Sequence, residues 1–309
     1  MNCTPKTLRK GMLIAFLFFI FNQATTAQSD TSEVDLLSLL GEEEEINYSS
    51  AAFKSTRVIN GHSIENVASG VLDFRISHRF GFINTGFYEA FGLDGATIRL
   101  GLEYGVNDRL MIGAGRSSFN KAYDAFFKYK ILRQSTGKKN MPISLSWFSS
   151  MVCNTIKWQF PERENYFSSR LFYTHQLLIA RKFNDKLTLQ LSPTAVHRNL
   201  VRTKAEANTV MALGGLGRYK LTQRLSLNAE YFYVLPNQLA DQFRNSLSLG
   251  VDIETGGHVF QLHLTNSTSM VEPGFVTESV GDWMNGDIHF GFNISRVFTV
   301  VRKKEAKDW

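Results

Sequence analysis

The sequence has little with which to build covalent or metal-centred chemistry. Its only cysteines are Cys3 and Cys153. Cys3 precedes an apolar run that reads as a removable export signal, which would leave Cys153 without an intramolecular disulfide partner. There is no HExxH, no CxxC and no phosphate-cradling glycine loop. The residues therefore imply no cofactor, no metal and no enzyme class. No apolar stretch reaches the roughly 18 residues that a membrane-crossing helix needs. The net charge of +6 comes from 34 basic and 28 acidic residues, and Lys6, Arg9 and Lys10 supply half of it. Without residues 1–27 the balance is 31 to 28. That gives no clustered basic patch of the kind nucleic-acid binding requires.

What is present at the start is an export pattern. The three early bases form the basic region, residues 12–21 (MLIAFLFFIF) the apolar region, and residues 24–27 (ATTA) the small-residue cleavage site. Residues 28–68 form an acidic segment with an amphipathic leucine-rich stretch from Val34 and a run of glutamates at 42–45. Such runs usually repel and stay solvated. The alternative is a plug or strap for the barrel, or a docking peptide at 28–50 for a periplasmic protein. Residues 51–60 (AAFKSTRVIN) read as a short strand or strap ended by Gly61.

From residue 69 to 300 one pattern dominates. Segments of about ten residues alternate apolar and polar side chains, so one face meets an oily medium and the other a wet one. Twelve are expected: 71–80, 96–106, 110–117, 121–132, 143–154, 168–182, 187–197, 209–219, 225–235, 246–254, 259–266 and 287–298. Connections at Asn107, Phe183, Leu221 and Thr255 are tight; those at 81–95, 155–167, 200–208 and 267–286 are long. Short periplasmic turns and long outer loops are the habit of outer-membrane barrels. Two connections break the rule: 118–120 is short for an outer loop, and 133–142 is long for a periplasmic turn. Aromatics near strand ends, among them Phe80, Tyr129, Trp147, Tyr219 and Tyr233, suit the membrane interfaces. The expectation is an all-β, antiparallel transmembrane β-barrel of 12 strands, with 10 to 14 as neighbours. It would sit in the outer membrane of a Gram-negative cell, in contact with lipid, with a basic tail at 301–309.

The stretches FKSTRVINGHSIEN, LDFRISHRFG, FGLDGATIRLGLEYGVNDRLMIGAGRSSF, RENYFSSRL, LSLGVDIETGGHVFQLHLTNS and GDIHFGFNISRVF strongly resemble an uncharacterised barrel family, domain-of-unknown-function family 5777. The resemblance runs from about residue 53 to 300. It implies an outer-membrane barrel and brings no substrate and no functional residue with it.

Parity along the strands points seven acids inward (Asp73, Glu103, Asp124, Glu230, Asp252, Glu254 and Asp287) and six bases (Arg75, Arg79, Arg99, Lys128, Lys130 and Arg170). A selective ion channel should be lopsided. Near balance suggests side chains paired across a narrow interior, hence restricted or gated passage of a small solute. The alternative is a non-conducting structural, adhesive or docking barrel. His263 and His289 also face inward, on neighbouring strands. His78 and His175 face outward, and neither has a serine two positions along its own strand, so no hydrolytic pair is legible. Glycines at 101, 105, 113, 115, 214, 215 and 217 would make room for crossing side chains. In the outer loops, Trp158, Phe160 and Tyr166 within 157–166, and Trp283 within 270–283, are the candidates for surface recognition.

Overall fold

The structure, a computed structural model, describes residues 45–204 and 206–301. The expected export signal, the leucine-rich stretch from Val34, the glutamates at 42–44 and the basic tail beyond residue 301 lie outside the described residues. Fourteen strands are described in chain order: β1 (Ile46–Tyr48), β2 (Val71–Phe82), β3 (Ala96–Gly105), β4 (Leu110–Ser117), β5 (Tyr123–Leu132), β6 (Ser135–Gly137), β7 (Ser144–Cys153), β8 (Leu171–Lys182), β9 (Leu187–Arg198), β10 (Thr209–Lys220), β11 (Leu225–Val234), β12 (Ser246–Thr255), β13 (His258–Thr265) and β14 (His289–Thr299). Twelve of them form a closed antiparallel barrel in which each pairs with its neighbours and β14 returns to β2. The strand ends agree with the alternation to within three residues. No described helix is long and apolar enough to cross a membrane; the crossing elements are strands.

The alternation is inverted relative to a soluble sheet. On β11, Leu227, Tyr231 and Tyr233 are exposed on the outer wall while Ser226, Asn228 and Glu230 are buried inside. Closure leaves no edge, so each of the twelve barrel strands finds backbone partners without water. Where β2 meets β14, the outward rings stack as well. His78 lies over Phe292 with centroids 4.9 Å apart, and Phe80 over Phe290 at 5.8 Å.

The tight turns are made by side chains that cap their own backbone. Asn107 Oδ1 accepts the N–H groups of Arg109 and Leu110, each at 2.8 Å, and Asn184 does the same for Lys186 and Leu187. Both chain ends of the barrel lie at this short-turn end, which in outer-membrane barrels faces the periplasm. The two irregular connections have physical reasons. The one between β5 and β7 is long because it carries β6, which pairs with β1 in a separate two-stranded sheet. The one between β4 and β5 closes in few residues because Asn120 and Lys121 adopt left-handed backbone angles.

The interior is a packed core, not an open bore. Residues 52–67 enter from the short-turn end as a narrow hairpin, with Arg57 bridged to His62 and Val58 N–H donating to Gly61 O at 2.8 Å. From the opposite end the β13–β14 connection folds inward as helix α1 (Glu272–Thr277), whose six residues are all buried. Phe53, Val58, Ile64, Phe275 and Val276 pack with inward Phe126, Phe148, Leu178, Val196, Leu216 and Phe232. Each such buried side chain contributes roughly 1.5–3 kcal/mol. The wet inner face expected from the alternation therefore also carries an apolar cluster, to which β5 to β11 contribute Phe126, Phe148, Leu178, Val196, Leu216 and Phe232 among their polar inward residues.

Candidate functional site

The candidate site is the barrel interior, where the hairpin meets the charged half of the wall. Its tip is held by Glu230 on β11. The carboxylate accepts the N–H groups of Asn60 at 2.9 Å, Gly61 at 3.0 Å and Ile59 at 3.2 Å. Those donors have no strand partner, and a buried donor left unpaired costs about 1–3 kcal/mol. Side chains of the wall take the remaining backbone groups. Asn293 Nδ2 donates to Ile59 O at 3.0 Å, Gln261 Nε2 to Val58 O at 2.9 Å, Gln190 Nε2 to His62 O at 2.7 Å, and Lys128 Nζ to Ser63 O at 2.9 Å.

Charges complete the clamp. Arg75 donates to Ser55 Oγ and Thr56 Oγ1 at 2.7 and 2.8 Å and to Asp73 at 3.1 Å. Thr56 in turn donates to Glu103 at 2.5 Å. Arg79 donates to Asn60 Oδ1 at 2.7 Å. Arg99 grips Asp124 with two bonds of 2.9 and 2.5 Å, the forked geometry that favours arginine at buried pairs. Gly101 and Gly115 leave room for it, since a Cβ at either would come within 2.6 Å of the guanidinium. Arg57, on the hairpin itself, lies 3.7 Å from Glu103 and 3.2 Å from Glu272 of α1. Glu272 is also 3.5 Å from His62, whose ring sits between Phe126 and Phe148 at 4.7 and 4.2 Å. Burial, and then the nearby Arg57 charge, hold His62 well below its ordinary value, so it is neutral. Burial pushes the Glu272 carboxyl up, and Arg57 opposes this.

Eleven of the fifteen residues expected in the lumen are buried on the inner wall: Asp73, Arg75, Arg79, Arg99, Glu103, Asp124, Lys128, Glu230, Asp252, His263 and His289. Lys130 and Glu254 lie at the short-turn rim, where Lys130 is 3.9 Å from Glu65 and Glu254 is ion-paired with Lys54. Two placements are corrected. Arg170 ends a 3-10 turn in the β7–β8 loop, donates to Ile156 O at 2.6 Å and stacks 3.9 Å over Trp158. Asp287 precedes β14 and accepts from Asn84 Nδ2 at 2.5 Å among the outer loops. In both cases parity was carried past the true end of a strand. Of the two inward histidines, His289 bonds Phe80 O at 2.7 Å and Thr268 Oγ1 at 2.9 Å. Among the described residues no cluster of three or more His, Cys, Asp or Glu could hold a metal.

The loop candidates divide. Phe160 and Tyr166 are exposed. Trp158 is covered by Arg170, and Trp283 donates from Nε1 to Leu247 O at 3.1 Å. The segment from Met270 to Thr277 is buried in the barrel and not displayed, because Val271, Phe275 and Val276 join the interior core. Sequence reading also missed a pair of residues on the outer wall. Ser149 on β7 faces His175 on β8, Oγ to Nδ1 3.0 Å. Inspection along single strands cannot find a cross-strand pair; the register could. Among the described residues no carboxylate or amide bonds that histidine.

Comparison with solved structures finds barrels. The NanC porin aligns over 73% of this chain and 98% of its own, at 9% identity and a TM-score of 0.45. The KdgM porin aligns over 74% and 99%, at 12% identity and 0.44. OmpF of Salmonella typhi, in a complex with daunomycin, aligns over 74% and 97%, at 8% identity and 0.35. No curated protein matches the sequence. The model of the membrane-bound β-barrel domain family DUF5777 matches residues 53–298, nearly the whole barrel with its interior hairpin, and the chain belongs to that family.

Proposed function

We propose that this outer-membrane barrel handles restricted passage of a small polar solute, closed at rest by residues 52–67 and opened when they leave the lumen. The observation that carries this is the chemistry of the hairpin's attachment. Its tip is tethered through Glu230, Asn293, Gln261 and Arg79. Such polar contacts can be exchanged for water when the hairpin leaves, whereas buried apolar contacts cannot. The wall left behind would present Arg75, Arg79, Arg99, Glu103, Lys128 and Glu230, a mixed-sign lining suited to a polar solute of low net charge. A periplasmic protein that engages residues 28–50 would have a handle on the hairpin.

The apolar cluster around Phe148, Phe232 and Phe275 favours a second reading, a non-conducting barrel that displays loops or docks a partner. Planar-bilayer conductance and liposome swelling separate the two. The full mature chain should be nearly silent, and a variant lacking residues 52–64 should conduct in stable steps. If a barrel that lacks both residues 52–64 and the α1 segment folds, as judged by its heat-modified electrophoretic mobility, and remains silent, passage is ruled out and the second reading stands.

A further inference from the structure

The outer wall carries a feature that the lumen does not explain. Across β9 to β14 lies an apolar groove of about 760 Å³, lined by Leu187, Tyr219, Leu227, Leu249 and Leu264 among others. Its floor follows from the register. One outward row runs Leu189, Gly217, Ala229, Leu249, Leu264, Phe290 through directly paired residues. Gly217, which has no side chain, and Ala229, which has only a methyl, stand side by side in that row between Leu189 and Leu249, and Leu189 leans to 3.2 Å from where a Gly217 Cβ would lie. Five strand spacings of about 4.8 Å make the row about 24 Å long. With strands tilted about 40°, such a row rises about 15 Å along the membrane normal. That rise is half of a hydrocarbon core of about 30 Å, the depth of one leaflet.

The lower end of the row is cationic. The residue paired with Leu189 is Arg181, exposed on the outer wall at the periplasmic end of β8, its guanidinium 5.1 Å from the centre of the Phe183 ring. Lys186, exposed in the adjoining turn, directly precedes Leu187, and its carbonyl accepts the N–H of Lys220 at 2.8 Å. Among the described residues none of these three side chains forms an ion pair. The nearby Asp185 is 3.4 Å from Lys182.

We propose that the groove is a binding site for an anionic glycerophospholipid of the periplasmic leaflet, one acyl chain lying over Gly217 and Ala229 and the headgroup against Arg181 and Lys186. The apolar trough, its one-leaflet rise and unpaired cations at its lower end match an amphiphile of that charge. A second copy of the chain would need a complementary apolar ridge and would gain nothing from the cations.

Native mass spectrometry of the full mature chain, equilibrated with phosphatidylglycerol or phosphatidylcholine in mild detergent, tests this. One phosphatidylglycerol should be retained, at least fivefold in preference to phosphatidylcholine. The double variant Arg181→Glu/Lys186→Glu should lose that preference, and Ala229→Phe should lose the bound lipid of either kind. The charge variant changes only exposed side chains, and its heat-modified mobility reports folding. Equal retention of the two lipids, or unchanged phosphatidylglycerol retention in the charge variant, overturns the proposal. So does a wild-type dimer that carries no lipid and that Ala229→Phe breaks, which would assign the groove to a second copy.

Discussion

At the scale of single residues, Glu230 carries the most. One carboxylate serves three consecutive backbone donors that have no other partner among the described residues, and bonds to a charged acceptor are worth about 1.5–3 kcal/mol each in place of 0.5–1.5. Replacing it with alanine should lower the barrel's unfolding free energy by about 3 kcal/mol, the scale of orphaned buried donors. Glu230→Gln keeps an acceptor oxygen and should lose about half as much. Urea unfolding of the reconstituted protein, followed by tryptophan fluorescence, would measure both; equal losses in the two variants would mean that charge and not acceptance matters. The inward position of Glu230 was legible because it alternates with Leu227, Tyr231 and Tyr233. Its partners were not, since nothing in a strand's own pattern names a segment 170 residues away. The same gap explains the apolar cluster in the lumen. Phe126, Phe148 and Phe232 occupy polar-parity positions, and their breaks in the alternation, as in AFFKYK and YFYV, were the available signal that something apolar fills the interior.

At the scale of elements, the strands were readable because lipid imposes a strict period of two and asparagine marks the turns. Residues 51–60 read only as a short strand or strap ended by Gly61; the hairpin at 52–67 and its place in the lumen were not readable, because it pairs with side chains of a curved wall and needs no period of its own. Its histidine gives it a pH response. Docked, His62 is held well below the ordinary 6.5 by burial and Arg57; released, it returns to about 6.5. As pH falls below that value the released hairpin takes up a proton that the docked one refuses. Docking therefore weakens toward acid by up to about 1.4 kcal/mol per pH unit. Glu272 on α1 also responds, since burial raises its carboxyl value and the Arg57 charge, which leaves with the hairpin, opposes that rise, so the wild-type profile alone does not isolate the histidine. His62→Phe retains ring packing between Phe126 and Phe148 and removes the proton. Protease accessibility of residues 52–67 between pH 7.5 and 5 should rise in the wild type relative to this variant. Parallel profiles would show that the histidine takes no part in release.

At the scale of the whole barrel, closure comes from both ends. The hairpin rises from the short-turn end and α1 descends from the loop end, and they meet where Glu272 lies 3.2 Å from Arg57 and 3.5 Å from His62. Behind that contact, Phe275 rests against Phe232 at 5.0 Å. Two stoppers in series predict a definite conductance pattern, because resistances in series are governed by the larger. Replacing residues 268–285 with a short Gly-Ser linker leaves the hairpin clamped by Glu230, Asn293 and Gln261, so that variant should remain nearly silent. Removing residues 52–64 leaves α1 without its Arg57 partner but still packed on Phe232, so current should flow through a constricted path. Removing both should raise single-channel conductance several-fold above the sum of the single variants. Additive conductances would indicate two independent paths through the barrel. A linker variant that conducts as well as the double one would make α1 the sole barrier and reduce the hairpin to a strap on the wall.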